Sequence, residues 1–133
     1  QASSIYHQNF KPSEVLANPY FISCVNVIAA DTTEEAERES TSLKNLFASI
    51  VTNNRHPLSP PTEEVIYAGI PAIEQAVENM VSCTFVGDKA KLKNELSQFC
   101  EEHQIDEIMV ASYIFDEDKR IYSYQLLHEA LLG

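Results

Sequence analysis

The 133 residues suffice for one domain with a sizeable core, since 44% are hydrophobic and 22% charged, an ordinary globular balance. A formal net charge of −11 with only nine Lys and Arg excludes an electrostatic grip on nucleic acid or on an acidic membrane surface. No run approaches the roughly 20 apolar residues of a membrane span and no secretory signal pattern is present, so a cytoplasmic location is expected.

In chain order, Gln1 to Phe10 reads as the tail of a helix with Ile5, Tyr6 and Phe10 on its apolar side, stopped by Lys11-Pro12-Ser13. Tyr20 to Ala30 is almost continuously apolar and rich in β-branched residues, the signature of a strand buried on both faces in a helix-covered parallel sheet. Thr32 with Glu35 three residues on forms a capping box, opening a helix whose stripe is Ala36, Leu43, Leu46, Phe47, Ile50 and Val51. Three prolines between Pro57 and Pro61 end it. Helical periodicity resumes over Thr62–Tyr67 and over Pro71–Ser82, where Ile73, Val77, Met80 and Val81 face inward, so residues 55–83 form a Pro-rich loop and helical insertion.

Thr84 to Gly87 is a short strand, and Asp88 caps a helix bearing Leu92, Leu96, Phe99 and Cys100. Ile105 to Ile114 gives a further buried strand, followed by Asp116 and a helix carrying Ile121, Tyr124, Leu127 and Leu131. Three strand-helix units in succession demand parallel pairing, and therefore an α/β layer or barrel.

Motifs that carry chemistry are few. With three glycines the chain holds no GxGxxG and no P-loop, and there is no GxSxG. The four histidines show no HExxH spacing, and Glu101-Glu102-His103 point in different directions from a helix end, so no metal site is expected. Cys24, Cys83 and Cys100 are odd in number and far apart, which suggests buried reduced thiols. Arg55-His56, before a rigid loop, suits contact with an anionic ligand, although a cation at a helix terminus is the commoner explanation. Asn26, a polar residue in an apolar run, must find a partner, in a barrel lumen or on a neighbouring strand. Asp31, Ser112 and Tyr113 stand at strand ends, where α/β barrels place their chemistry and where core-edge packing or a helix-proximal carboxylate is the alternative.

The order and wording of these segments resemble the bacterial-luciferase-like flavin monooxygenases. YHQNFKPS over Tyr6–Ser13 is similar to that family's "YR..FRPS", and PYFISCVNVIAADTTEEAERESTS over Pro19–Ser42 to its "PYVMVCVNVIAADTDEEAERLATS". RHPLSPP, FVGDKAKLKNEL and IDEIMVASYIFDEDKRIYSYQLL follow in the family's order, so the resemblance covers nearly the whole chain. Where relatives often read "SHIYDHEDR", this chain has Tyr113 in place of His, which points to a different substrate pocket or to a packing position.

The resemblance implies an α/β fold, the C-terminal portion of a TIM (β/α)8 barrel with about three parallel strand-helix units plus a helical insertion. A whole such barrel needs about 250 residues. It also implies a parent enzyme in which reduced FMN and oxygen attack an aldehyde-like or other small organic substrate. The flavin contacts are expected in the N-terminal part of the barrel, so no catalytic or cofactor residue is assigned, and the chain alone is expected to bind no flavin and to be inactive. The alternative is a non-catalytic flavin-binding or interaction module of the same ancestry. Parallel strands at an open edge expose backbone groups, so a homodimer or higher oligomer, or pairing with the N-terminal part of the barrel, is expected.

Overall fold

A computed structural model describes residues 1–133. The chain forms α1 (Ala2–Asn9), β1 (Ile22–Ala29), α2 (Thr33–Val51), α3 (Pro71–Met80), β2 (Thr84–Gly87), α4 (Lys89–His103), β3 (Glu107–Ala111) and α5 (Glu117–Leu132). The strands make one parallel sheet in the order β2-β1-β3, the open α/β sheet of a partial barrel. The order is not sequential, as consecutive staves of a regular barrel would be. β2 is only four residues long and pairs with Asn26–Ala29, the last half of β1, whereas β3 pairs with Ile22–Asn26, the first half.

Side chains alternate across β1, and each face has its own cover. Val25, Val27 and Ala29 lie against Leu92 and Leu96 of α4 and Leu126 and Leu127 of α5. Ile28 and Ala30, of opposite parity, pack on Ala36 and Leu43 of α2. The two-sided burial expected of this strand therefore holds for its C-terminal half; Ile22 is 49% exposed and Cys24 lies open. A third cluster, Ala48, Tyr67 and Val77, fastens α3 and its preceding loop to α2.

Local chemistry explains the helix starts. Thr32 Oγ1 accepts from the Glu35 N–H at 3.2 Å, Asp88 Oδ1 from Lys91 at 3.0 Å, and Asp116 Oδ1 from Lys119 at 3.0 Å. α4 ends on Gln104 in the left-handed conformation, with φ 51°. No helix is long and apolar enough to cross a membrane.

Several sequence expectations need correction. Thr62–Tyr67 is a series of turns, because α2 side chains take its backbone donors: Thr41 Oγ1 accepts from the Thr62 N–H at 2.9 Å and Asn45 Oδ1 from Ile66 at 3.0 Å. Ile50, Val51 and Met80 are exposed, while Ser40, Thr41, Ser42, Asn45 and Ser49 are buried on α2. In α5 the inward residues are Ser123, Leu126, Leu127 and Ala130; Ile121 and Tyr124 are exposed. Cys24 and Cys83 are exposed free thiols and Cys100 is half-buried.

Candidate functional site at the C-terminal edge of the sheet

The chain leaves β1 toward the face that α2 covers and leaves β3 toward the face that α5 covers. In open parallel sheets, the carboxyl ends of strands whose helices diverge in this way are the usual ligand position. Asp31 follows the carboxyl end of β1, and Ser112 and Tyr113 follow that of β3. Three of the six residues singled out in the sequence are thereby brought to one edge. Arg55 and His56 are not: they follow α2, whose 19 residues run about 28 Å antiparallel to the strands. His56 instead lines a small cavity of about 140 Å³ with Ser49, Tyr67 and Ile73. Asn26, half-buried, pairs with both Thr84 and Ala111 and so sits where all three strands meet.

The first turns of α5 organise the edge. Tyr122 donates its hydroxyl to Asp31 Oδ1 at 2.7 Å, and that bond, with the Asp31 charge, raises the phenol's pKa. Ser123 Oγ, fully buried, accepts from the Ala29 N–H at 2.9 Å and lies 3.4 Å from Ser112 Oγ. Tyr124 Oη accepts from the Ser112 N–H at 3.0 Å. Lys119 Nζ reaches across to α2, 2.6 Å from Glu39 Oε1 and 3.4 Å from Glu35 Oε1. Its hydrogen bond to the buried Glu39 is the main cause of its raised pKa. Ile114 is fully buried against Ala36 and Leu43 of α2.

A second group of contacts joins the ends of β1 and β2. Thr33 Oγ1 donates to Asp88 Oδ2 at 3.1 Å, and with the Lys91 N–H, the larger influence, it lowers the Asp88 pKa. Asp31, Asp88, Lys89, Tyr122 and Glu129 border an open depression of about 330 Å³, in which Lys89 is bonded to Glu129 at 2.8 Å. Sequence reasoning missed Lys119, Tyr122, Ser123 and Glu39. Polar residues on two amphipathic helices read as solvated faces, and nothing in helical spacing reports which of them meet across 80 or 90 residues.

Comparison with known proteins places this geometry. No family model matches the chain. It is 38% identical over 136 residues to a luciferase-like monooxygenase of Escherichia coli K12, matching 100% of this chain and 41% of that protein. It is 36% identical to the uncharacterized protein YddN of Bacillus subtilis, over 98% of this chain and 39% of that one. In three dimensions it superposes on the crystal structure of apo-MsnO8 with a TM-score of 0.76 at 23% identity, over 97% of this chain and 40% of that chain, a likeness of fold. The chain thus spans about two fifths of the length of these relatives. Matched along its whole length, and with the parallel β/α fold of apo-MsnO8, the chain is similar to about two fifths of a luciferase-like monooxygenase, as a C-terminal part of that family would be.

Proposed function

We propose that these residues form the C-terminal wall and rim of a luciferase-like barrel in which reduced FMN and oxygen oxidise an aldehyde-like or other small organic substrate. The observation that carries this reading is the 38% identity over 100% of the chain to a named luciferase-like monooxygenase. Bound flavin would supply the oxidative chemistry. The residues present do not by themselves fit its phosphate, which needs converging cations or free backbone N–H groups. Lys89 and Lys119 are bonded to Glu129 and Glu39, and the first N–H groups of α4 and α5 face the Asp88 and Asp116 caps. Arg120 is the one cation at this edge without an ion-pair partner.

The chain's own contribution is then positional. Tyr122 and Ser123 tie α5 to the end of β1, Ser123 also reaches Ser112 after β3, and Lys119 ties α5 to α2. Two exposed free thiols suit a reducing compartment, which supports the cytoplasm as the place of action.

A chimera tests the reading. In the Escherichia coli relative, the matching 136 residues are replaced by this chain. The chimera is expected to fold and to match the unaltered relative in an FMN titration run beside it; a folded chimera that lacks an FMN binding shown by the unaltered relative overturns the proposal. In parallel the isolated chain is titrated with FMN and followed by flavin fluorescence. No binding is expected, and saturable quenching favours a free-standing flavin-binding module instead.

A further inference from the structure

Because α2 runs about 28 Å antiparallel to the strands, its last turn lies a helix length from Asp31 at its start. There the end of α2, the turn that follows it and the turns of residues 66–69 surround the cavity of about 140 Å³ on which His56 borders. All of its lining falls within residues 48–73, and local hydrogen bonds hold the walls. The Asn54 N–H donates to the Ser49 carbonyl at 2.9 Å, the Ile70 N–H to the Tyr67 carbonyl at 3.1 Å, and the Gly69 N–H to Glu74 Oε1 at 2.8 Å. Gly69 makes that last turn in the left-handed region, with φ 79°.

The floor of the cavity is buried Ala48, Ser49 and Tyr67, and its rim is apolar, with Ile66 64% and Ile70 47% exposed. No Asp, Glu, Lys or Arg lines it, so it offers an ionic ligand no counter-charge. Two polar groups stand ready. Tyr67 is only 7% exposed, yet its hydroxyl bonds no protein group; burial first, then the Glu74 and Glu78 charges, raise its pKa above 10.0 and keep it a neutral donor. His56 Nδ1 lies 2.7 Å from the Pro57 carbonyl oxygen, which places the proton of the neutral ring there and leaves Nε2 as an acceptor. A buried phenol ordinarily has a hydrogen-bond partner, and here the protein supplies none.

We propose that this cavity is a binding site for a small neutral molecule of about six carbons bearing one hydroxyl, the class of which phenol is the simplest aromatic member. The ligand oxygen accepts from the Tyr67 hydroxyl, its O–H has His56 Nε2 as acceptor, and its carbons lie against Ala48, Ile66, Ile70 and Ile73. An apolar cavity of roughly 150 Å³ holds benzene, so the volume suits a single ring. The site is made by the end of α2 and the segment before α3, and it does not depend on flavin chemistry.

Calorimetric titration of the 133-residue chain with phenol is expected to show saturable one-to-one binding, tighter than that of benzene, which has no hydroxyl. Tyr67→Phe keeps the ring packed on Ala48 and Val77. It is expected to weaken phenol about three- to tenfold, the loss of one hydrogen bond, and to leave benzene no weaker. Backbone amide resonances that move with phenol should be those of Ala48, Ser49, Tyr67 and Ile73. Several results overturn the proposal: no saturable binding, a wild type that takes benzene as tightly as phenol, a Tyr67→Phe variant that binds phenol unchanged, or shifts centred instead on the apolar groove of Ile108 and Leu131. Where Tyr67→Phe fails to fold, the wild-type comparison of phenol with benzene and the shift map decide. None of these readings involves FMN, so the flavin reading stands or falls separately.

Discussion

Lys119 and Tyr122 sit one turn apart on α5 and bond carboxylates on and beside α2, Glu39 with Glu35 and Asp31 respectively. Both have pKa values raised by those acids, but for different reasons: the acids favour the charged ammonium and disfavour the charged phenolate. The consequence for stability has the same sign. A raised folded pKa contributes stability that is complete below the unfolded value and is lost as pH rises through the folded one. The urea midpoint is therefore expected to fall as pH rises beyond the ordinary values of 10.0 for Tyr122 and 10.5 for Lys119. The double variant Tyr122→Phe, Lys119→Met should show a flatter alkaline limb; an unchanged slope would mean that these bonds are not formed in solution. Asp88 works at the other extreme. Its lowered pKa gives stability that is present above its ordinary value of 3.8 and lost as pH falls through the depressed one, so Asp88→Asn should flatten the acid limb.

Ser123 has a different kind of importance, since its hydroxyl is the buried acceptor for the Ala29 N–H at the end of β1. Ser123→Ala leaves that donor without a partner in a dry place, at a cost of roughly 1–3 kcal/mol. Chemical denaturation of the variant measures this directly, and a loss below about 0.5 kcal/mol would show that water replaces the hydroxyl.

Among the elements, those whose signals are local were legible in the sequence. Thr32, Asp88 and Asp116 cap their helices through bonds three residues long, and the apolar run through Val25, Val27 and Ile28 makes the central strand. Thr32→Ala is accordingly expected to cost about 1 kcal/mol by loss of the Glu35 N–H acceptor, with Thr32→Ser restoring most of it. What could not be read was settled by distant partners. α2 is wrapped on several sides, by β1 and β2, by the 57–67 loop and by Lys119 of α5, so Ser40, Ser42 and Asn45 are buried where hydropathy marks a solvated face. The same holds for α5, where Ser123 lies inside because Ala29 needs an acceptor, and Ile121 is left outside. Asp31, Ser112 and Tyr113 were found because strand ends are legible; their organisers on α5 were not, because the bonds they make span 11 to 94 residues of chain.

At the scale of the molecule, cover over the central strand is uneven along its length. Val27, Ile28 and Ala29 are enclosed by α4 and α5 on one face and by α2 on the other, and β2 pairs beside them. Ile22 to Cys24 have β3 alongside but no helix over the face bearing Ile22, Cys24 and Met109. Opening free energy follows buried contacts, so backbone hydrogen exchange in the isolated chain should be slowest at Val27–Ala29 and faster by an order of magnitude or more toward Ile22. In a protein of the relatives' length, this same face and the β3 edge would meet the rest of a barrel, and the gradient should vanish. Exchange measured on the 133-residue chain and on the chimera with the Escherichia coli relative distinguishes these states. Uniform slow exchange along β1 in the isolated chain would mean that the open face is already covered in solution, whereas uniform fast exchange would mean that α2 does not hold its place without the rest of the barrel.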